Sequence, residues 1–397
     1  MPKKSADVHG LPVVKVSRKG ANRLKDGHVW VYRSDIVEAD GIPPGALVGV
    51  ADEREKFLGT ALYSSASQIA IRMISKEAVN DLDGLLRKRV REAIAYRERV
   101  VRDTDAYRIA FSEADFLPGL IVDRYNDLLS LQVLTQAMDT EAVRQVIVSE
   151  LVERLSPAAI GERVDPRVRE LEQLPARSSS LLKGEKTNTV FSMNGVRFHH
   201  EAFEGQKTGA FLDQRENYGA AAQYAHGEAL DVFCYHGGFA LHLAPHCSKV
   251  TGVDSSRPAL EVADRNAALN GREIEWIEAN AFDLLRDYAS GGQQYDTIVL
   301  DPPAFAKSKS NLETALRGYK ELNLRALKML RPGGILVTCS CSYHVSPGEF
   351  LEVVAQASRD MHRSLRIVEN RTQAKDHPIL LAVPETAYLK CVILAVS

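Results

Sequence analysis

Asp231-Val232-Phe233-Cys234-Tyr235-His236-Gly237-Gly238-Phe239 is an apolar run that ends in a pair of glycines and leads into a helical pattern. Glycine lets a ligand approach the backbone closely, and the N-terminus of a following helix offers free N–H groups. Asp254 closes the next apolar run, where a carboxylate can accept both hydroxyls of a ribose. The stretch therefore predicts a strand, a turn and a helix that bind a cofactor.

The pattern from Glu228 to the end of the sequence alternates between apolar strands and helices, including a helix predicted over residues 312–330. Such alternation is typical of a parallel sheet with helices on both faces. We therefore predict an α/β fold with a doubly wound, Rossmann-like sheet of seven strands.

Two further stretches each close a buried apolar run. They are Leu300-Asp301-Pro302-Pro303-Ala304-Phe305 and Thr338-Cys339-Ser340-Cys341-Ser342. An acid and a thiol are thus expected at the ends of neighbouring strands, the edge at which open α/β sheets bind ligands. If the strand continues, Cys339 and Cys341 point to the same side. We prefer Cys341 as the reactive thiol because it lies nearer the ligand edge, and we expect Cys339 to be a packed small hydrophobe.

The glycine turn lacks the G-x-G-x-x-G spacing that a nicotinamide cofactor requires for its pyrophosphate. S-adenosylmethionine (SAM) has no pyrophosphate, so it fits this turn better. Asn280 follows the third strand and is predicted to contact adenine, with the small Ala281 beside it leaving room for the ring. The other contacts predicted in this part of the chain are Asp231, Tyr235, Gly237, Gly238, Phe239, Asp254 and Asp301.

The acid and the thiol together indicate methylation of a ring carbon. A thiolate can add to C6 of cytosine and so make C5 nucleophilic, and a base then removes the C5 proton before the thiol leaves. Asp301 is suited to hold the ring at N3 and N4. The motif Asp301-Pro302-Pro303-Ala304-Phe305 also fits methylation of an amine or ring nitrogen of guanine or adenine, which remains the alternative.

Composition describes an ordinary soluble chain of 397 residues, with a net charge of −2 and 26% charged residues. Residues 1–33 nevertheless contain eight Lys/Arg and two acids, and a local basic patch can bind phosphates. The five cysteines match no zinc pattern, so we predict no metal. We find neither a signal peptide nor a membrane-spanning run, and predict a cytoplasmic protein without a membrane partner.

Short strands separated by turns fill residues 13–74 and predict a small β-barrel. A helix is predicted over residues 81–101, and strands and a further helix follow it. The domains we predict are a small β-domain at residues 1–75, an α+β middle domain at 76–190 and a methyltransferase domain at 191–397.

Several longer strings, in order along the chain, resemble one bacterial family. They include His28-Val29-Trp30-Val31-Tyr32-Arg33, Leu117-Pro118-Gly119-Leu120-Ile121-Val122-Asp123-Arg124-Tyr125, Gln206-Lys207-Thr208-Gly209-Ala210-Phe211-Leu212-Asp213-Gln214-Arg215 and Arg317-Gly318-Tyr319-Lys320-Glu321-Leu322-Asn323. The chain resembles the 23S ribosomal RNA 5-methylcytosine methyltransferases, which join an N-terminal PUA domain to a SAM-dependent domain.

The resemblance implies ribosomal RNA as the partner and Cys341 as the nucleophile. It adds residues to the predicted SAM pocket, namely Lys207, Thr208, Gly209, Phe211, Asp213, Gln214 and Arg215. It also implies an RNA side lined by Lys307, Arg317, Tyr319 and Lys320, where the tyrosine would stack on a base. A homodimer and a non-catalytic role in ribosome assembly are left open.

Overall fold

The computed structural model describes residues 10–203, 209–306 and 308–397. The chain divides into two compact units. The first comprises the described residues within Met1–Thr189, His200–Gly209 and Lys375–Thr386. The second comprises Val190–His199, Ala210–Ala374 and Ala387–Ser397, again as far as they are described.

A six-stranded sheet opens the first unit, in the order β2-β6-β5-β4-β1-β3, and its residues Val14, Val31, Val50 and Ile71 are buried in one core. Its elements confirm the β-rich module predicted from the turns, with a helix that the pattern did not predict. The elements are β1 (Val13–Val16), α1 (Arg18–Lys25), β2 (Trp30–Tyr32), β3 (Ile36–Glu38), β4 (Leu47–Asp52), β5 (Phe57–Tyr63) and β6 (Ile69–Ser75).

A second sheet of five strands follows within the same unit, in the order β11-β10-β9-β8-β7. The long helix α2 packs against α3 and β7. The elements are α2 (Leu82–Val100), β7 (Ala106–Phe111), β8 (Leu120–Tyr125), β9 (Leu128–Val133), α3 (Glu141–Leu155), β10 (Ala159–Glu162), α4 (Pro166–Leu171) and β11 (Ser180–Lys183). A two-stranded hairpin, β12 (Asn188–Met193) and β13 (Val196–Glu201), comes next.

The second unit contains the predicted seven-stranded sheet, in the order β16-β15-β14-β17-β18-β20-β19. Its elements are α5 (Arg215–Tyr224), β14 (Glu228–Val232), α6 (Gly238–Leu243), β15 (Lys249–Asp254), α7 (Arg257–Leu269), β16 (Glu275–Glu278), α8 (Ala281–Gly291), β17 (Tyr295–Leu300), α9 (Leu312–Met329), β18 (Leu330–Ser340), α10 (Pro347–Asp360), β19 (Leu365–Arg371) and β20 (Lys390–Val396).

The strand order reverses between β14 and β17. From β14 the chain winds outward through β15 to β16, and it then returns to place β17 on the other side of β14, in parallel register with Val232 opposite Leu300. In open α/β sheets the crevice at such a reversal, at the carboxyl ends of the strands, binds the ligand. The residues that directly follow β14 and β17 therefore form the floor of the candidate site.

Helices hold this sheet in place through a core that α8, α9 and α10 share with the sheet strands. Leu285 of α8, Leu327 of α9 and Phe350 of α10 are fully or almost fully buried there. Among the described residues, no helix is both long and apolar enough to cross a membrane.

Within the first unit, the guanidinium of Arg97 on α2 is completely buried. It donates to a carboxylate oxygen of Asp115 at 2.8 Å and to the backbone oxygens of Arg108 at 2.9 Å and Asp376 at 2.8 Å. Because these acceptors belong to different segments of the chain, Arg97 joins α2, β7 and residues 375–386 of the unit.

Replacing Arg97 with Met should lower the free energy of unfolding by about 3–5 kcal/mol, because it leaves the Asp115 carboxylate without its cationic partner and removes a donor from two carbonyl oxygens. Urea denaturation followed by circular dichroism measures the change. Arg99→Met removes the same charge from an exposed position two residues away and should change stability by less than about 0.5 kcal/mol. Equal effects of the two substitutions would contradict the role given to Arg97.

Candidate active site

The turn after β14 has an unusual backbone. Phe233 and Tyr235 have positive φ angles of 69° and 49°, and Gly237 follows at 82°. The N–H groups of Phe233 and Cys234 both donate to the oxygen of Val253, which fixes the turn against β15. Non-glycine residues in this region of φ cost energy and are concentrated at functional sites.

Close packing explains the second glycine of the turn. A Cβ atom added at Gly238 would lie 2.5 Å from the ring of Tyr218. Gly238 begins α6, and Phe239 is buried beside it with its ring edge-on to that of Tyr218. The glycine pair therefore brings the N-terminus of α6 close to the end of β14, as the sequence predicted.

Asp231, the next-to-last residue of β14, is completely buried. One carboxylate oxygen accepts the N–H of Ala240 at 2.8 Å, and the other has no hydrogen-bond partner among the described residues. Burial, reinforced by the charges of Asp301 and Asp254, raises the pKa of this carboxyl to about 8. An acid with an unused oxygen in such a place is suited to a ligand that brings a positive charge or a donor.

Asp254 ends β15 and faces the same turn. Its two oxygens accept the N–H of Tyr235 at 3.0 Å and of Ser256 at 2.9 Å, so the carboxylate is held in one orientation. The ring of Tyr235 stacks on that of His236 at 3.7 Å and meets that of Phe211 edge-on at 5.1 Å. Burial lowers the pKa of His236 to about 4, which keeps this ring neutral.

Asp301 follows β17 and is tied to the segment that precedes α5. Gln214 donates from its side-chain nitrogen to Asp301 at 2.9 Å, and its oxygen accepts from Asn217 at 2.7 Å. Next to it, Asp213 is buried and accepts the hydroxyl of Tyr388 at 2.6 Å. Gln214 therefore lies beside Asp301, and the contact of Asp213 and Gln214 with SAM stays a prediction.

The cofactor fits this edge on chemical grounds. SAM carries positive charge on its sulfonium and its ammonium, and the edge offers Asp231, Asp254 and Asp301, whose charges influence one another. Asp231 contributes the unused buried oxygen. In the described part of the chain no cluster of His, Cys, Asp and Glu could hold a metal ion that would compensate these charges.

Asn280 and Ala281 stand at the start of α8. The side-chain oxygen of Asn280 caps the helix by accepting from the N–H groups of Phe282 at 3.0 Å and Asp283 at 3.3 Å. Asn280 therefore has a structural role that the sequence prediction did not include. Its contact with adenine stays a prediction. The cap uses the side-chain oxygen, so the amide nitrogen is the atom that could make this contact.

Cys339 and Cys341 differ in their position relative to β18 and in their burial. β18 ends at Ser340, so Cys341 lies outside the strand, where it is half-buried and its sulfur is 3.8 Å from the backbone oxygen of Pro302. Cys339 is completely buried within β18, opposite Cys391 of β20. Burial and the neighbouring Cys391 raise the pKa of Cys339 well above its ordinary value, which keeps it a neutral thiol.

Tyr319 was predicted to line the RNA side, but the structure places it in the core. It is 1% exposed, and its ring packs between those of Phe305 and Phe350. Its hydroxyl forms 2.9 Å hydrogen bonds with the hydroxyls of Ser340 and Ser342. The ring has no open face for a base, and its hydroxyl instead braces the serines on either side of Cys341.

Lys390 was missed by the sequence analysis. It is 6% exposed at the start of β20, opposite Ser340, and its ammonium donates to the backbone oxygens of Ser342 at 2.6 Å and Tyr388 at 2.8 Å. Burial lowers its pKa to about 8, and the charge of Cys341 acts in the opposite direction. A lysine at the head of an otherwise apolar strand was the available signal.

The other residues predicted for the SAM pocket and the RNA side lie on several different elements. Arg317 is exposed on α9 and donates to Thr314 at 3.2 Å, and Lys320 pairs with Asp360 at 2.7 Å. Arg215 is buried at the start of α5. Gly209 belongs to the first unit and has a φ of 136°. Lys207, Thr208 and Lys307 lie outside the described residues.

Two family models match the chain. A PUA-like domain matches residues 14–76. An S-adenosylmethionine-dependent methyltransferase matches residues 113–394, which is more than two thirds of the chain.

Curated relatives match over nearly the whole length. The chain is 38% identical over 380 residues to the "Ribosomal RNA large subunit methyltransferase I" of Photobacterium profundum, which covers 92% of this chain and 95% of the relative. The protein of the same name from Shewanella denitrificans is 38% identical over 390 residues, covering 95% and 97%. Among solved structures, SMU.776 complexed with SAH has a TM-score of 0.83 at 19% identity, covering 96% of this chain and 99% of that one.

The protonated state of Asp231 predicts how stability depends on pH. Its pKa is about 8 in the folded chain and about 4 for a solvated Asp. Between about pH 4 and about pH 8 the folded state therefore binds a proton that the unfolded state has released. Stability from this group is therefore present below about pH 4 and lost as the pH rises through about 8. Asp231→Asn removes the titration, so its stability relative to the wild type should rise over this range, by at most about 1.4 kcal/mol per pH unit.

Urea unfolding of the protein without cofactor, at pH 5, 6, 7 and 8, tests this expectation. Asp287→Asn serves as the control because that carboxyl is exposed on α8. A constant difference between the wild type and Asp231→Asn at all four pH values would contradict a protonated Asp231.

Proposed function

The chain belongs to the S-adenosylmethionine-dependent methyltransferase family, together with the relatives named ribosomal RNA large subunit methyltransferase I, and on that premise we propose that it methylates C5 of a cytosine in large-subunit ribosomal RNA through a covalent adduct with Cys341. The choice of large-subunit RNA is supported by the names of relatives that align with more than nine tenths of the chain. The choice of atom is supported by the position of the thiol.

One observation carries the choice of a carbon atom. Cys341 is the cysteine that leaves the sheet at the ligand edge, with its sulfur against the Asp-Pro-Pro segment. Transfer of a methyl group to an amine or ring nitrogen needs no thiol, since the nitrogen lone pair is itself the nucleophile. A half-buried thiol beside Asp301 is the group that activation of C5 requires.

The residues then divide the reaction between them. The Cys341 thiolate adds to C6 of cytosine, and the electron pair of the C5–C6 double bond moves so that C5 becomes nucleophilic. Asp301, oriented by Gln214, acts as an acid: it accepts from the amine at N4, donates its proton to N3 as the negative charge develops there, and takes the N3 proton back when the adduct breaks down. SAM supplies the methyl group that C5 accepts. Removal of the C5 proton by a base returns the electron pair and expels Cys341 as a thiolate, which restores the enzyme.

Lys390 supports this role of Cys341. Its ammonium is held by two backbone oxygens, one of which belongs to the residue that follows Cys341. A positive charge beside a thiol favours the thiolate, which is the form that attacks carbon. Tyr319 and Ser342 keep the same segment in place through their hydroxyl groups.

Replacing Cys341 with Ala should lower methyl transfer from radiolabelled SAM to ribosomal RNA by roughly three orders of magnitude or more, because the group that activates C5 is gone. Cys339→Ala is the matched control from the same five-residue stretch and should retain activity within about tenfold. Undiminished transfer by Cys341→Ala would exclude the covalent mechanism.

Nucleoside mass spectrometry of the product separates the proposed reaction from its alternatives. We expect 5-methylcytosine from the wild-type protein and none from Cys341→Ala. A methylated guanine or adenine would place the chain among nitrogen methyltransferases. RNA binding without any methylated nucleoside would support a non-catalytic assembly role.

Lys390→Gln should slow alkylation of Cys341 by iodoacetamide about tenfold at pH 7, since loss of a nearby cation disfavours the thiolate. Peptide mass spectrometry assigns the reaction to Cys341 separately from the other cysteines. Lys328→Gln, an exposed position at the end of α9, should leave the rate unchanged. Equal rates for Lys390→Gln and the wild type would remove Lys390 from the mechanism.

A further inference from the structure

A cavity of about 210 Å³ lies within the second unit, at the edge of the seven-stranded sheet opposite the candidate active site. Glu228, Lys249, Glu275 and Tyr295 line it, and they are the first residues of β14, β15, β16 and β17. The cavity exceeds the roughly 10–15 Å³ that one water molecule requires and is smaller than the ~300–1,000 Å³ of pockets for drug-sized ligands. It therefore suits a ligand of a few non-hydrogen atoms.

The lining of the cavity carries a net negative charge. Glu228 and Glu275 supply two carboxylates and Lys249 supplies one ammonium, so the net charge of the lining is −1. The ammonium of Lys249 lies 2.8 Å from Oε2 of Glu275, and the hydroxyl of Thr251 donates to the same oxygen at 3.2 Å. Both contacts use one oxygen, which leaves Oε1 of Glu275 to accept from a further donor.

The second carboxylate of the lining is only weakly paired. Glu228 lies 3.6 Å from the guanidinium of Arg331, which has a nearer partner in Asp296 at 2.6 Å. Because β15 lies between β14 and β16, Glu228 and Glu275 stand on either side of the strand that begins with Lys249. One additional ammonium would balance the charge of this lining.

Two tyrosines of the lining have hydroxyl groups that await a partner. Tyr295 is 9% exposed, and neither its hydroxyl nor that of Tyr288 forms a hydrogen bond with another described residue. Burial, and then the nearby Tyr288, Glu275 and Glu228, raises the pKa of Tyr295 to about 12. The hydroxyl therefore stays neutral. Since a buried hydroxyl without a partner costs free energy, a ligand that donates to it is favoured.

The end of α8 adds to the negative potential of the cavity. Tyr288 belongs to the last turn of this helix and Gln293 follows its end, and both line the cavity. The last turn contains no basic residue. The partial negative charge of the helix C-terminus is therefore not compensated within the helix, and it favours a cation nearby.

We propose that this cavity binds a small primary alkylamine, with its ammonium held by Glu228, Oε1 of Glu275 and the hydroxyl of Tyr295, and its alkyl chain against the tyrosine rings. An ammonium has three donors and no acceptor, which matches three acceptors gathered at one place. Its single charge balances that of the lining, and the face of a tyrosine ring also attracts a cation. The proposal is independent of the reaction at Cys341.

Isothermal titration calorimetry of the full chain with n-butylamine tests the proposal, and one site per chain is expected. Glu275→Gln should weaken binding about tenfold, because it removes a charged acceptor. Glu278→Gln is the matched control. Glu278 lies three residues further along β16 and pairs with Arg257 much as Glu275 pairs with Lys249. At the far end of the strand its charge is largely screened, so the affinity should change less than about twofold. Equal losses for the two variants would overturn the proposal.

The tyrosine and the charge of the ligand have separate readouts. Tyr295→Phe removes only the hydroxyl and should weaken binding about fivefold. Tyr224→Phe is its control, because that hydroxyl instead pairs with Glu369 at 2.9 Å, and it should leave the affinity unchanged. n-Butanol has the length of n-butylamine without its charge and should bind at least about tenfold more weakly. Equal binding of the alcohol and the amine, or wild-type affinity in Tyr295→Phe, would contradict an ammonium site.

Discussion

The parallel pairing of β14 with β17 is the constraint on which the site depends. Because Val232 lies opposite Leu300, the turn that begins at Phe233 and the segment that begins at Asp301 leave the sheet side by side. The same pairing buries Asp231 one residue earlier, where burial raises its pKa to about 8 and one carboxyl oxygen has no hydrogen-bond partner among the described residues. A sheet that reverses its order here creates the space for a cofactor, and a cationic cofactor would favour the charged form of Asp231.

A second set of contacts gives Cys341 its setting. The hydroxyl of Tyr319 joins Ser340 to Ser342, and Lys390 binds the backbone oxygen of the latter. These groups come from α9, β18 and β20, and Lys390 of β20 is 48 residues away from Ser342 in the sequence. A thiol that leaves a strand end would otherwise sit on an unsupported loop, and here the residues on either side of it are fixed by buried hydrogen bonds.

The sequence predicted those parts of the site that follow from strand ends. Asp254 and Asp301 each close an apolar run, Asp231 opens the run that leads into the glycine turn, and a parallel sheet gathers such strand ends at one edge. The helix expected over residues 312–330 ends one residue earlier, at Met329. The seven-stranded sheet and the β-rich first module were likewise predictable, because strand-and-helix alternation and turn spacing are local signals.

Contacts between distant segments were not predictable in the same way. Tyr319 lies on a helix with many charged residues, and their pattern does not indicate which face carries the ring. The prediction therefore placed Tyr319 on the RNA side, although it lies in the core. Lys390 reads as a surface residue until its two carbonyl partners are known. Asn280 was predicted only as a ligand contact, and the structure shows that it also caps α8.

The place of β20 in the sheet has a consequence for how the chain is made. Among the described strands β19 pairs only with β20, which follows it in sequence and is inserted between β18 and β19. During synthesis β19 therefore leaves the ribosome with no neighbour, and its Ile367 and Val368 remain partly exposed even when the sheet is complete. An unpaired strand of this kind is prone to pair with other chains. The interval between the emergence of residue 371 and that of residue 396 is thus the stage at which this protein is most exposed to misassembly.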